Sequence, residues 1–188
     1  MRKSLITAVV TASLFTLTAC GNEDDTDTAG GHNDADVTFA QEMIPHHQQA
    51  IEMADLAESR AESQEVKDLA ADIEAAQGPE IETMTGWLES WGEDVPDDGM
   101  SGMDHGDMSS DDMGGMMTED EMADLETAAG AEFDQMFLAM MIEHHEGAIE
   151  MAKTEQSEGE FPEAVDMAKE IQTTQAEEIQ TMQDLLKP

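Results

Sequence analysis

One cysteine, Cys20, stands in this 188-residue chain; tyrosine is absent, aromatics make up 4% and prolines number five. A lone thiol excludes an intrachain disulfide and any thiolate cluster for a metal. Scarce aromatics and β-branched residues, set against plentiful Ala, Glu, Gln, Met and Leu, point away from sheet and toward an all-α fold. Basic residues are also few: seven Lys and Arg face 45 Asp and Glu, for a formal net charge of -38. That balance excludes nucleic acid and other anionic surfaces as natural partners and makes cations the natural ones. Most of the acidic residues need no further explanation than solubility or salt tolerance of an exported protein. Length and a 39% apolar content suffice for one ordinary core with tails.

The first 20 residues carry Arg2 and Lys3, an apolar run from Leu5 to Leu17, and then Leu17-Thr18-Ala19-Cys20. The run is short for a membrane span, and the small residues before Cys20 match a bacterial lipoprotein cleavage box. Residues 1–20 are therefore expected to be an export signal, with Cys20 the lipidated first residue of an anchored, extracytoplasmic protein. Residues 21–35, acidic and without apolar period, read as a flexible tether.

The chain repeats itself. Residues 36–88 laid over 134–186, at a constant offset and without a gap, give about 23 identities. FAQEMIPHHQQAIEMA (Phe39 to Ala54) pairs with FLAMMIEHHEGAIEMA (Phe137 to Ala152), and Ile73, Gln77, Glu80, Ile81, Met84 and Leu88 recur as Ile171, Gln175, Glu178, Ile179, Met182 and Leu186. Three- and four-residue steps through Val66, Leu69, Ala70, Ile73, Gln77, Ile81, Met84 and Leu88 mark one helix face, and the second copy repeats it. Each unit, 36–91 and 118–188, is thus expected to be a helical hairpin, and two hairpins bury their stripes by closing into a four-helix bundle. Pro162 suits a helix start, and Thr118 with Glu121 has capping-box spacing. Pro45 and the Gly78-Pro79 pair are expected to kink or interrupt helices of the first unit.

At about 100° per residue, Met43, His46 and His47 fall within an arc about 100° wide. Met141, His144 and His145 repeat the arrangement, and Met53 and Met151 follow near its flank. Thioethers with imidazoles select Cu(I), with Cu(II) also open to a His-rich set, over ions that prefer thiolate or all-oxygen shells. Di-iron bundles use Glu-x-x-His; here Met43 and Met141 replace that Glu, which argues against oxygen-activating iron. Met84, Met122, Met167 and Met182 also suit plain packing. The paired His are harder to explain that way, because two adjacent imidazoles on an apolar face each need a polar partner, and the chain repeats the burden.

Residues 92–117 hold Met100, Met103, His105, Met108, Met113, Met116 and Met117 among Gly, Ser and Asp. No core-forming period runs through them, so they read as a linker. Exposed methionine gains no burial and invites oxidation, so Met100, Met103, His105 and Met108 are candidates for wrapping a soft ion; compositional drift, or packing over the bundle, are the alternatives.

Asp-x-x-Phe, then Met-Ile-x-His-His-x-x-Ala-Ile-x-Met-Ala, then Gln-x-x-Glu-Ile-x-x-Met, twice over, resembles the bacterial domain of unknown function 305 family. The resemblance implies a ferritin-like four-helix bundle, and some members are copper-binding exported proteins linked to copper resistance. By position it implies Met43, His46, His47, Met141, His144 and His145 as ligands, with Met53, Met84, Met151 and Met182 weaker and His32 folding back onto the first unit. The Gly78-Pro79 break departs from the family's usual run and puts Met84 in question.

The expectation is a copper-binding lipoprotein that sequesters copper or hands it to a partner exporter or oxidase, touching the membrane through its lipid only. No nucleophile or acid–base pair stands out, so it is expected not to be an enzyme. A cuprous-oxidase type of redox protein and a metal-free surface interaction module are the alternatives.

Overall fold

The computed structural model describes residues 31–96 and 114–187. The signal segment with Cys20, most of the tether, and Met100, Met103, His105 and Met108 of the linker lie outside the described residues. Among the described residues five helices follow in order: α1 (Asp34–Arg60), α2 (Gln64–Trp91), α3 (Glu119–Thr127), α4 (Ala131–Glu158) and α5 (Pro162–Leu185). The fold is all-α, and none of the described helices is long and apolar enough to cross a membrane.

Local chemistry sets the boundaries. Asn33 caps α1 by accepting from the Ala35 and Asp36 amides, while Asp36 reaches back to the Asn33 amide at 2.6 Å. Thr118 and Glu121 form the anticipated capping box on α3, and Pro162 occupies the first turn of α5. Gly92, at φ 79°, ends α2 in the left-handed region that favours glycine. Helix α1 begins inside the segment read as tether, and the short α3 precedes the second hairpin proper.

Helix α1 packs on α2, α4 on α5, and α1 on α4, which leaves α2 and α5 flanking a groove. One apolar cluster gathers Met53, Ile73, Leu125, Phe133, Phe137, Met141 and Met182, with α3 covering its end. A second gathers Phe39, Met43, Ile44, Met84, Leu88 and Ile171. Between them lies a polar layer described below.

The expected interruptions at Pro45 and Gly78-Pro79 do not occur: α1 and α2 each run through as one helix. Each proline removes one backbone bond and frees the carbonyl four residues earlier, at Gln41 and Ala75. Gln41 is partly exposed and Ala75 exposed, so water can serve those carbonyls, and Met84 beyond the break is fully buried. Packing of two long apolar stripes outweighs a local cost of about 3 kcal/mol per proline.

The duplication is also a clamp. The Asp36 carboxylate accepts from the Glu160 and Phe161 amides in the α4–α5 turn. Asp134, its counterpart, accepts from the Glu62 and Ser63 amides in the α1–α2 turn at 3.0 and 2.9 Å. Each hairpin thus holds the other's turn, and α1 and α4 must run antiparallel. Burial pushes the Asp36 carboxyl up, but its bonds to the Asn33 amide, Glu155, and the Phe161 and Glu160 amides outweigh that and hold it low. Glu155, buried beside it, is pushed up to about 8 by burial and by Asp36. Replacing Asp134 by Ala is expected to cost about 1–3 kcal/mol of stability in urea unfolding, and Asp36→Ala at least as much, since each removes charge-assisted bonds to backbone amides.

Candidate metal centre

Helices α1 and α4 cross where their His pairs meet. The rings of His46 and His144 lie 3.7 Å apart, centre to centre, at 42°. His47 and His145 flank them, each giving its Nε2 to a carboxylate of its own hairpin: Glu80 at 2.7 Å and Glu178 at 2.6 Å. All four imidazoles are fully buried, whereas the two carboxylates reach toward solvent. Glu80 lines the groove between α2 and α5, together with Thr83, Trp87, Met167 and Glu170. It therefore connects the surface to a buried ring.

The other ring nitrogens are left over. Neither nitrogen of His46 or His144, nor the Nδ1 of His47 or His145, makes a well-formed hydrogen bond; the Gly114 backbone beside His46 and the His46 backbone beside His144 are weak support. Each such group costs about 1–3 kcal/mol relative to water. Burial, and then the neighbouring His47 and His145, push His46 down to about 3. His144 is likewise held well below the usual imidazole range, by burial and then by His46, His145 and His47. Both rings are neutral at neutral pH, with lone pairs available, which is the form a metal takes.

Thioethers lie one turn to each side. The His47–Glu80 bond sets the register of α1 against α2, and the His46–His144 contact sets α1 against α4. At 1.5 Å per residue, Met43 and Met84 share a layer about 5 Å on one side of the imidazoles, and Met141 and Met182 a layer about 5 Å on the other. All four are fully buried. Among the described residues no three His, Cys, Asp or Glu side chains converge to hold an ion.

The pattern of DUF305, a domain of unknown function, matches residues 36–186. The chain belongs to the DUF305 family. Solved DUF305 structures share its fold. A candidate secreted DUF305 protein from Streptomyces coelicolor is 34% identical, with a TM-score of 0.70 over 81% of this chain and 91% of that one. A DUF305 fragment from Deinococcus radiodurans is 31% identical, with a TM-score of 0.72 over 83% and 97%. CopM in its Cu(I)-bound form is 34% identical, with a TM-score of 0.64 over 80% and 94%. CopM has also been solved in Cu(II)-bound, Ag-bound and apo forms. No curated protein matches the chain.

Of the residues singled out in the sequence, the DUF305 bundle brings together His46, His47, His144 and His145, and helix register sets Met43, Met84, Met141 and Met182 about one turn from them. Met53 does not join them: it is buried in the apolar cluster about 10 Å along α1 from His46. Met151 instead lines an acidic surface groove with Phe39, Glu42, Glu150 and Glu155. His32 does fold back onto the first hairpin, stacking on Trp91 at 4.3 Å. That places it roughly 20 Å along α1 from the paired His.

Three kinds of residue escaped the sequence reading. Glu80 and Glu178, visible as a duplicated identity, stand beside the apolar stripe, where a carboxylate reads as part of the solvated face. Gln77 and Gln175, equally duplicated, passed as stripe members and are buried. Gln49, where the copies differ, grips the end of the linker: it accepts from the Met117 amide at 2.7 Å and donates to the Met117 carbonyl at 2.8 Å. Its counterpart Gly147 lets the Gly114 carbonyl come so near that a Cβ there would meet it at 1.8 Å. This strap lies over one face of the crossing.

A titration follows from the buried rings. An unfolded chain protonates its imidazoles near pH 6.5, whereas folded His46 stays neutral down to about 3. Their contribution is therefore complete above pH 6.5 and is lost as pH falls from 6.5 toward 3. Urea unfolding of the metal-free protein at pH 7 and pH 4.5 should show a fall of a few kcal/mol that a His46→Leu/His144→Leu variant largely lacks. An equal fall in both proteins would assign the acid sensitivity to other groups.

Proposed function

We propose that this DUF305 protein binds copper at the crossing of α1 and α4 and sequesters it or hands it on, outside the cytoplasm. The observation that carries the reading is the contact between the buried, neutral rings of His46 and His144, flanked by the buried His47 and His145, between two layers of buried thioethers. A mixed sulfur and nitrogen set of this kind suits Cu(I) best and tolerates Cu(II). The similarity to CopM, solved with both copper ions and with silver, supports the same chemistry. Export fits the apolar leader and the family likeness to a candidate secreted protein, and Leu17-Thr18-Ala19-Cys20 adds a lipid anchor to that picture.

The role is binding rather than turnover. Glu80 and Glu178 take one nitrogen each of His47 and His145, and their hydrogen bonds fix ring orientation as such partners do in metal proteins. Rings locked in this way suit retention of an ion. The Met-rich linker serves as an accessory collector, and the acidic surface raises the local concentration of cations. An exporter or oxidase is the natural recipient for copper handed on.

Cu(I) titration and metal analysis of the purified chain, beside His46→Ala/His47→Ala/His144→Ala/His145→Ala, test this directly. The parent should bind copper tightly and the fourfold variant, shown folded by circular dichroism, at least about 100-fold more weakly. Equal uptake would move the site to Met100, Met103, His105 and Met108. No uptake by either would sink the copper reading.

A further inference from the structure

The run Gln-x-x-Glu-Ile-x-x-Met occurs in both hairpins, as Gln77 to Met84 and as Gln175 to Met182. Its Glu is accounted for by the bond to an imidazole, and its Met by the layer beside the rings. The Gln is not. Gln77 and Gln175 are 2% and 3% exposed, and neither polar atom of Gln77, nor the Oε1 of Gln175, has a hydrogen-bond partner. A position that only packs takes an apolar side chain, as Ile73 and Met84 do on the same face of α2. A carboxamide there has given up its water with nothing in exchange.

Register shows what these carboxamides accompany. The His47–Glu80 bond levels Gln77 with Ala50 of α1, and the crossing at His46 and His144 brings Met141 and Met182 to within about 2 Å of that height. Gln175 stands in the same way with Ala148, Met43 and Met84. Ala50 and Ala148 are fully buried and contribute only a methyl group to each layer. One amide oxygen and two thioethers thus share a layer one turn from the imidazoles, on both sides of the crossing.

We propose that Gln77 and Gln175 are oxygen ligands for the oxidised ion. Their Oε1 atoms join the imidazoles around Cu(II), whereas the thioethers of the same layers hold Cu(I). Softness makes the division: Cu(II) takes nitrogen and oxygen in tetragonal sets, and Cu(I) prefers thioether sulfur. Copper supplied in either oxidation state thus finds its preferred donors already standing side by side. This assignment rests on the copper reading above and names the donors each oxidation state uses.

The test compares the purified chain with two double variants, Gln77→Leu/Gln175→Leu and Gln77→Glu/Gln175→Glu. Cu(II) sulfate is titrated in air with electron paramagnetic resonance as the readout, and Cu(I) separately without oxygen. The Leu pair should weaken Cu(II) binding by about 10–100-fold and shift the parallel g and copper hyperfine values, while leaving Cu(I) affinity unchanged. The Glu pair, which keeps an oxygen but charges it, should retain Cu(II) with an altered spectrum. Equal weakening of both ions in the Leu pair would mark a packing role and overturn the assignment. So would copper bound by the parent with Cu(II) affinity and spectrum unchanged in the Leu pair, or, should that pair not fold, a Glu-pair spectrum identical to the parent's. A parent chain that takes up neither ion would overturn the copper reading itself and this assignment with it.

Discussion

The contact between His46 and His144 is the constraint on which the rest of the molecule turns. Two fully buried imidazoles 3.7 Å apart at the centre of a bundle, with little hydrogen bonding, are a liability for folding. They persist because the surroundings over-determine their place. Asp36 and Asp134 tie each hairpin to the other's turn, and two apolar clusters close the ends of the polar layer. The stability supplied by ordinary helix packing is what allows the centre to be poorly satisfied, and a poorly satisfied centre is available to a ligand.

Duplication explains how one chain reaches this geometry. A hairpin that carries two adjacent His on one face cannot satisfy them alone, but a second copy related by a two-fold places the same pair opposite the first. The His–Glu bonds of the two hairpins then match in geometry, at 2.7 and 2.6 Å. Where the copies diverge, the symmetry is broken in two places. Gln49 and Gly147 seat the strap from Gly114 to Met117 over one face, and Glu155 and Gly159 replace Ala57 and Ala61 beside the Asp36 clamp. The Glu155 oxygen would be struck by a Cβ on residue 159 at 2.2 Å, so this extra carboxyl and its glycine belong together.

Helix identity, the hairpin repeat and the paired His were legible in the residues because each follows from spacing on one helix. Met43, His46 and His47 share an arc whatever the bundle does. What was not legible depends on register between helices. Met53 and Met151 occupy the same place in the repeat, yet one is buried in a cluster and the other borders a groove, because α3 and the strap cover one half only. Glu80 is half of a buried pair only once α2 lies against α1 at a particular height. The two prolines misled for a related reason: a local rule weighs a lost backbone bond, whereas the burial of a whole helix face is a tertiary quantity.

Charge and softness act at different distances in this protein. A net charge of -38 attracts every cation alike and carries no preference among them, since it acts through solvent and is screened over about 10 Å. Selection has to occur where water is excluded. The bundle keeps carboxylates at the rim of its centre, as orienting partners of His47 and His145, and fills the interior with thioether, imidazole and amide groups. A hard divalent ion arriving at the surface would surrender its water for neutral donors and lose by the exchange. A weakly hydrated soft ion would gain sulfur and nitrogen it cannot find in solvent. On the copper reading, discrimination therefore comes from the lack of charged donors inward of the His pairs, at the crossing of a highly charged protein.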